Sequence, residues 1–182
     1  MSGDDLHGGA YTGGAGLAYA LLKASSFPFA AGQEEGLLDA GKRILQQHLE
    51  TAQKKEAGRE TCYLLGSLSV YVVAILYEGG NEQEPIDRLI ESGNLIASKD
   101  VSGEGDDELL AGRAGFLAAA LTLRKKIIPD HCIRGVLNKM IDSGRRYAAA
   151  GRFPVPLMYR YHGRHYLGAA HGMMGILQML LW

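Results

Sequence analysis

Four stretches of the chain are apolar on nearly every side, and three others are apolar on one side only. The first kind comprises "TGGAGLAYALL" from Thr12, "LGSLSVYVVAIL" from Leu65, "AGRAGFLAAAL" from Ala111 and "HGMMGILQMLL" from His171. Each opens on two small residues three apart: Gly13/Gly16, Gly66/Ser69, Gly112/Gly115 and Gly172/Gly175. Between them lie residues 36–55, 85–98 and 130–150, where apolar positions recur at helical spacing. In the first of these, Leu38, Ile44, Leu45 and Leu49 share one face. Pro85 suits a first helical turn and Asp130 suits a helix cap. Strand-like alternation is scarce.

The pattern predicts an all-α fold in which apolar helices lie inside and half-polar ones lie against them. The steps between successive second small residues are 53, 46 and 60, the signature of a helical-hairpin repeat of about three and a half copies. Small residues three apart bare one helix face to close approach. Helix N-termini carry free N–H groups and the positive end of the dipole, so inner helices starting at one level would aim several such ends at a shared space.

Composition adds little to the fold but bears on partners. The chain has 182 residues, 47% of them hydrophobic and 21% charged, enough for one sizeable core. Up to Leu110 there are 8 Lys/Arg and 18 Asp/Glu, and from Ala111 onward 11 and 2. That asymmetry marks either a surface for an acidic ligand or anionic lipid, or two halves that attract each other. The arginines are not interleaved with aromatics at groove-reading spacing, which argues against nucleic acid. No secretory signal opens the chain, and the uncharged runs Thr61–Tyr77 and Tyr166–Trp182 read as buried helices rather than spans. Cys62 and Cys132 stand apart from any metal-ligand spacing and read as reduced, buried thiols.

The candidate chemistry gathers at His171 and Glu108. His171 reads either as the polar entrance to a buried helix or as a cavity-facing proton-transfer group, since its unperturbed pKa near 6.5 allows both protonation states at neutral pH. Glu108, in "EGDDELL" with Asp106 and Asp107, reads from the residues alone as a complement to the dipole of the following helix. In "YRYHGRHY", Arg160 and Arg164 read as a solvated loop. His162 and His165 form a two-ligand set without a third, and Met173, Met174 and Met179 read as core filler.

The strings "YTGGAGLAYALL", "ELLAGRAGFLAAALTLRK" and "PLMYRYHGRHYLGAAHGMMGIL" resemble the eukaryotic LanC-like (lanthionine synthetase C-like) proteins, from about Gly9 to Leu181. The resemblance implies an α/α toroid, an inner ring of helices opened by Gly-rich turns within an outer ring, of which residues 1–182 would form one incomplete domain. Bacterial relatives add cysteine thiols to dehydrated Ser/Thr. Eukaryotic members bind glutathione and are implicated in adding it to dehydroamino acids in damaged proteins. His171 matches the family's active-site histidine, and Glu108 an acid lining the same cavity. Arg113, with Gly112 and Gly172 of the two turns, is carried over as substrate-binding.

The family's zinc ligands, a lone cysteine and a Cys-His pair, come from later repeats. The chain has no Cys-His dipeptide, and the resemblance therefore implies no metal held by these residues. A thiol of pKa about 8.5 is barely ionised at neutral pH, so turnover by this chain alone is not expected. The implied setting is cytoplasmic, with peripheral contact at the plasma membrane. Two other readings stand beside this one. The first is a non-catalytic helical module for glutathione-like peptides, lipid or a protein partner, including self-association through open helix faces near Thr12 and Trp182. The second, by fold analogy, is a glycoside hydrolase, which would need a second acid across a cleft from Glu108.

Overall fold

Eight of the ten residues of the helix Leu68–Tyr77 are buried, from Leu68 through Ile75, as a helix without a polar face requires. The hydroxyl of its buried Ser69 donates to Gly66 O at 3.0 Å, so that polar group enters the core already satisfied. The computed structural model describes residues 9–52, 62–80, 82–98, 106–123 and 127–181. In chain order the helices are α1 (Gly14–Ala24), α2 (Glu34–Ala52), α3 (Leu68–Tyr77), α4 (Gln83–Ser98), α5 (Arg113–Thr122), α6 (Asp130–Ala150) and α7 (Met173–Leu181). Among the described residues there is no strand, and the all-α expectation holds. The end of the first predicted amphipathic segment, residues 53–55, lies outside the described residues.

The chain divides into two compact units, Met1–Leu89 and Ile90–Trp182. In the first, α1 packs along α2, and α3 closes on both. Ala15 and Ala18 of α1 meet Leu45 of α2 and Val70, Val73 and Ala74 of α3, with Ile44, Leu49 and Tyr77 at the margin. Burying a Val or Leu side chain contributes about 1.5–3 kcal/mol, so this cluster is the main source of the unit's stability. The Tyr77 hydroxyl donates to Ala18 O at 2.8 Å, and burial pushes the phenol's pKa up.

In the second unit α5 packs against α6 and α7. Phe116 of α5 is fully buried and lies, with Cys132 of α6, over Gly93 of α4, where there is no room for a side chain. The buried residues of α6 are Cys132, Val136, Met140, Gly144 and Ala148, one every fourth position, so a single stripe faces inward and the charged residues face out.

Two expectations are corrected. Asp130 does not cap α6. Pro129, in an extended conformation, holds the cap position, and Asp130 is the first helical residue, paired across one turn with Arg134 at 3.9 Å. Nor is the C-terminal apolar segment a core helix throughout. Only Gly175 and Ile176 of α7 are buried, Leu181 is 87% exposed, and Met174 faces solvent while Met173 and Met179 are half-buried. An all-apolar run specifies no face to hide, so its burial depends on which neighbours it meets. No described helix is long and apolar enough to cross a membrane.

Candidate functional site

The turns leading into α5 and α7 share one backbone design. The first N–H of each helix reaches back seven residues: Arg113 N donates to Asp106 O at 2.8 Å, and Met173 N to Tyr166 O at 2.9 Å. This folds the turn onto the glycine that precedes the helix. A Cβ on Gly112 would lie 2.7 Å from Asp106 O, and one on Gly172 would collide with Tyr166 O. Glycine is needed there for close approach, because neither backbone is left-handed. One backbone plan, used twice in this chain, thus carries different side chains. The residue just before the glycine is Ala111 in one turn and His171 in the other, and four before it stand Glu108 and Gly168.

The two candidate groups meet. Because α5 and α7 pack together, Glu108 and His171 come within hydrogen-bond reach, with His171 Nδ1 3.2 Å from Glu108 Oε2. The Glu108 side chain is 2% exposed and that of His171 34%. The carboxylate also accepts the Leu110 N–H at 2.8 Å and the Ala111 N–H. Glu108 therefore caps the free N–H groups of its own turn and holds His171 with the same group. An ionised carboxylate only accepts, so a hydrogen bond to it needs the proton on Nδ1, the tautomer that leaves the Nε2 lone pair available.

Arg113 is buried against its own turn. Its side chain is 2% exposed, and Nη1 lies 2.8 Å from Asp107 Oδ1. Burial pushes the Asp107 carboxyl above its usual range, and the Arg113 charge and a Ser143 hydrogen bond oppose that shift. Beneath the pair, Tyr159 donates to Met140 O at 2.9 Å, its phenol pushed up by burial and by the Asp107 charge. Arg113 and Asp107 thus brace the turn from inside. Gly112 and Gly172 are buried helix caps that let the turns close.

One element beside His171 goes unread in the sequence. Residues 161–164 form a two-residue hairpin: Tyr161 N donates to Arg164 O at 2.9 Å and Arg164 N to Tyr161 O at 3.0 Å. His162 (φ 46°) and Gly163 (φ 71°) are both left-handed, as a type I′ turn requires. The hairpin lays the Tyr161 ring flat on His171, with centroids 4.4 Å apart and planes 2° from parallel. The "HG" dipeptide between aromatic residues was the available signal. Gly163→Val should cost about 1–2 kcal/mol in local stability, since a β-branched residue resists positive φ. Hydrogen exchange at the Tyr161 and Arg164 amides will show it as lost protection.

The described residues do not fit the zinc that the resemblance implies. Cys132 is buried beside Ile90 O, its thiol pushed up by that burial, and Cys62 is buried in the other unit. His165 hydrogen-bonds the Tyr147 hydroxyl through Nε2 at 2.9 Å, and His162 packs edgewise on Tyr161. Among the described residues no three His, Cys, Asp or Glu side chains are grouped so as to hold a metal ion.

Comparison with known proteins bears on what the pair serves. The chain is 41% identical over 98 residues to LanC-like protein GCL1 of Arabidopsis thaliana, a stretch covering 51% of this chain and 22% of that protein. The chain therefore matches about a fifth of that relative's length. The family model described as lanthionine synthetase C-like protein matches residues 4–182. With that match over nearly its whole length, and with an all-helical fold, the chain belongs to the lanthionine synthetase C-like family.

Proposed function

We propose that His171 and Glu108 are the proton-transfer pair of a thiol-addition site acting on a glutathione-class thiol and a dehydroamino-acid residue in a peptide. Family membership supports the reaction class, and the observation that carries the roles is the His171–Glu108 contact, a buried carboxylate holding a one-third exposed imidazole. In the addition, the thiol sulfur bonds to the β-carbon of the dehydroamino acid. The C=C electron pair shifts to the α-carbon and its carbonyl as an enolate. The proton given up by the thiol returns, through His171 Nε2, to the α-carbon, so the step is balanced without oxidation or reduction. Glu108 keeps Nδ1 protonated throughout and orients the ring.

A positioned acid delivers its proton to one face, whereas solvent does not discriminate. With no zinc held by the described residues to ionise the thiol, His171 must itself take that proton and turnover is slow, but with a dehydroalanine peptide and glutathione the wild-type chain should still give an excess of one α-carbon epimer. His171→Asn should abolish that excess and slow adduct formation about 10²- to 10⁴-fold, the usual scale of general acid–base catalysis. Epimer ratios read by chromatography that are the same with wild type and variant would sink the proposal.

A further inference from the structure

We infer that Tyr161 is a positioning residue for His171, fixing the plane of the imidazole that Glu108 fixes only at its edge; its consequence for chemistry rests on the proton-transfer reading above. One hydrogen bond to Nδ1 sets a direction but leaves the ring free to turn about that axis. A parallel aromatic face at 4.4 Å removes this freedom, and edge and face together define one orientation. The Tyr166 ring lies tilted against both, 6.2 Å from His171 and 6.3 Å from Tyr161.

The support behind Tyr161 makes the stack preorganised rather than incidental. On one side Tyr159 is buried, seated on Gly144 and hydrogen-bonded to Met140 O, both on α6. On the other, His165 is held by the Tyr147 hydroxyl of α6 and lies edge-on to Phe153 at 4.9 Å. Both arms of the hairpin are therefore tied to the same helix, and the type I′ turn closes its tip. A positioning residue needs such a rigid mount. Tyr161 covers one face of the imidazole, and 34% of the His171 side chain remains exposed.

The test is the nitrogen and proton NMR spectrum of His171 in the full chain. In wild type, the ring current of Tyr161 should displace the His171 Hε1 and Hδ2 signals upfield, and the Nδ1–H tautomer should dominate. Tyr161→Ala should remove the displacement and weaken the tautomer preference about 2- to 12-fold, the worth of one aromatic stack. Tyr161→Phe should restore both, because the stack needs the ring and not the hydroxyl. If the alanine variant does not fold, Tyr161→Leu keeps the bulk without the π face and should behave as the alanine variant would. An unchanged tautomer preference in a folded variant lacking the ring would overturn the inference. The two readings fail separately. Should His171→Asn erase the epimer excess while loss of the Tyr161 ring alters neither tautomer nor excess, only the positioning role falls. Should loss of that ring free the imidazole while His171→Asn leaves the epimer ratio untouched, only the proton-transfer reading falls.

Discussion

Arg113→Met is expected to destabilise the second unit by about 3–5 kcal/mol, the scale for removing one partner of a buried ion pair. The side chain lost is large and apolar in its stem, but the greater effect comes from what remains. Asp107 is 6% exposed and already pushed towards protonation by burial, and Arg113 supplies the main opposing charge. Without it the carboxylate is buried beside Asp106 with Ser143 as its remaining help. The deficit should depend on pH in a defined sense. A raised folded-state pKa means that the native variant binds more protons than the unfolded chain, so stability falls as pH rises from the ordinary carboxylate value near 4 through the elevated one. Arg113→Met should therefore be least impaired in mild acid and most impaired at neutral pH. The double variant Asp107→Leu/Arg113→Met should recover most of the loss, because a matched apolar pair leaves no stranded charge. Denaturant unfolding with hydrogen exchange across α5 and α6 measures all of this. A small loss that does not vary with pH would mean that the pair is not buried as described.

Glu108→Ala is the second large change. The carboxylate serves three donors, the Leu110 and Ala111 amides and His171 Nδ1. Losing the acceptor strands two turn amides at about 1–3 kcal/mol each where they stay dry, for a total of about 2–6 kcal/mol. Glu108→Gln should cost less, about 1–2 kcal/mol, since the amide oxygen still accepts. The functional consequence should separate from stability. The alanine variant frees the His171 ring, so epimer control should vanish even at temperatures where the variant is fully folded. Thermal unfolding beside adduct stereochemistry distinguishes the two effects.

Much of this architecture is legible in the residue pattern, because helix periodicity and glycine spacing are local properties. The seven helices among the described residues fall where the apolar runs and one-sided stripes put them, and the paired small residues mark the turns that fold back on α1, α5 and α7. The meeting of Glu108 with His171 was readable only through family resemblance, since 63 residues separate them and no local rule brings the turns together. Arg113 shows the opposite case. In a Gly-Arg turn beside an acidic run, composition cannot say whether the guanidinium faces a ligand or its own neighbour, and the partner proved to be Asp107, six residues earlier. The Tyr161 stack was illegible for a third reason. It depends on two left-handed residues whose conformation is set by how Tyr159 and His165 dock on α6, so a loop of exposed polar residues concealed a rigid hairpin.

The central claim, that Glu108 holds His171 with its proton on Nδ1 and Nε2 available, is tested most directly by the ring-nitrogen chemical shifts of His171 in the wild-type chain above its titration range. The expected spectrum shows a protonated Nδ1 and an unprotonated Nε2, with that preference lost in Glu108→Ala. A His171 carrying its proton on Nε2 in the wild type would contradict it, because an unprotonated Nδ1 has nothing to donate to the carboxylate.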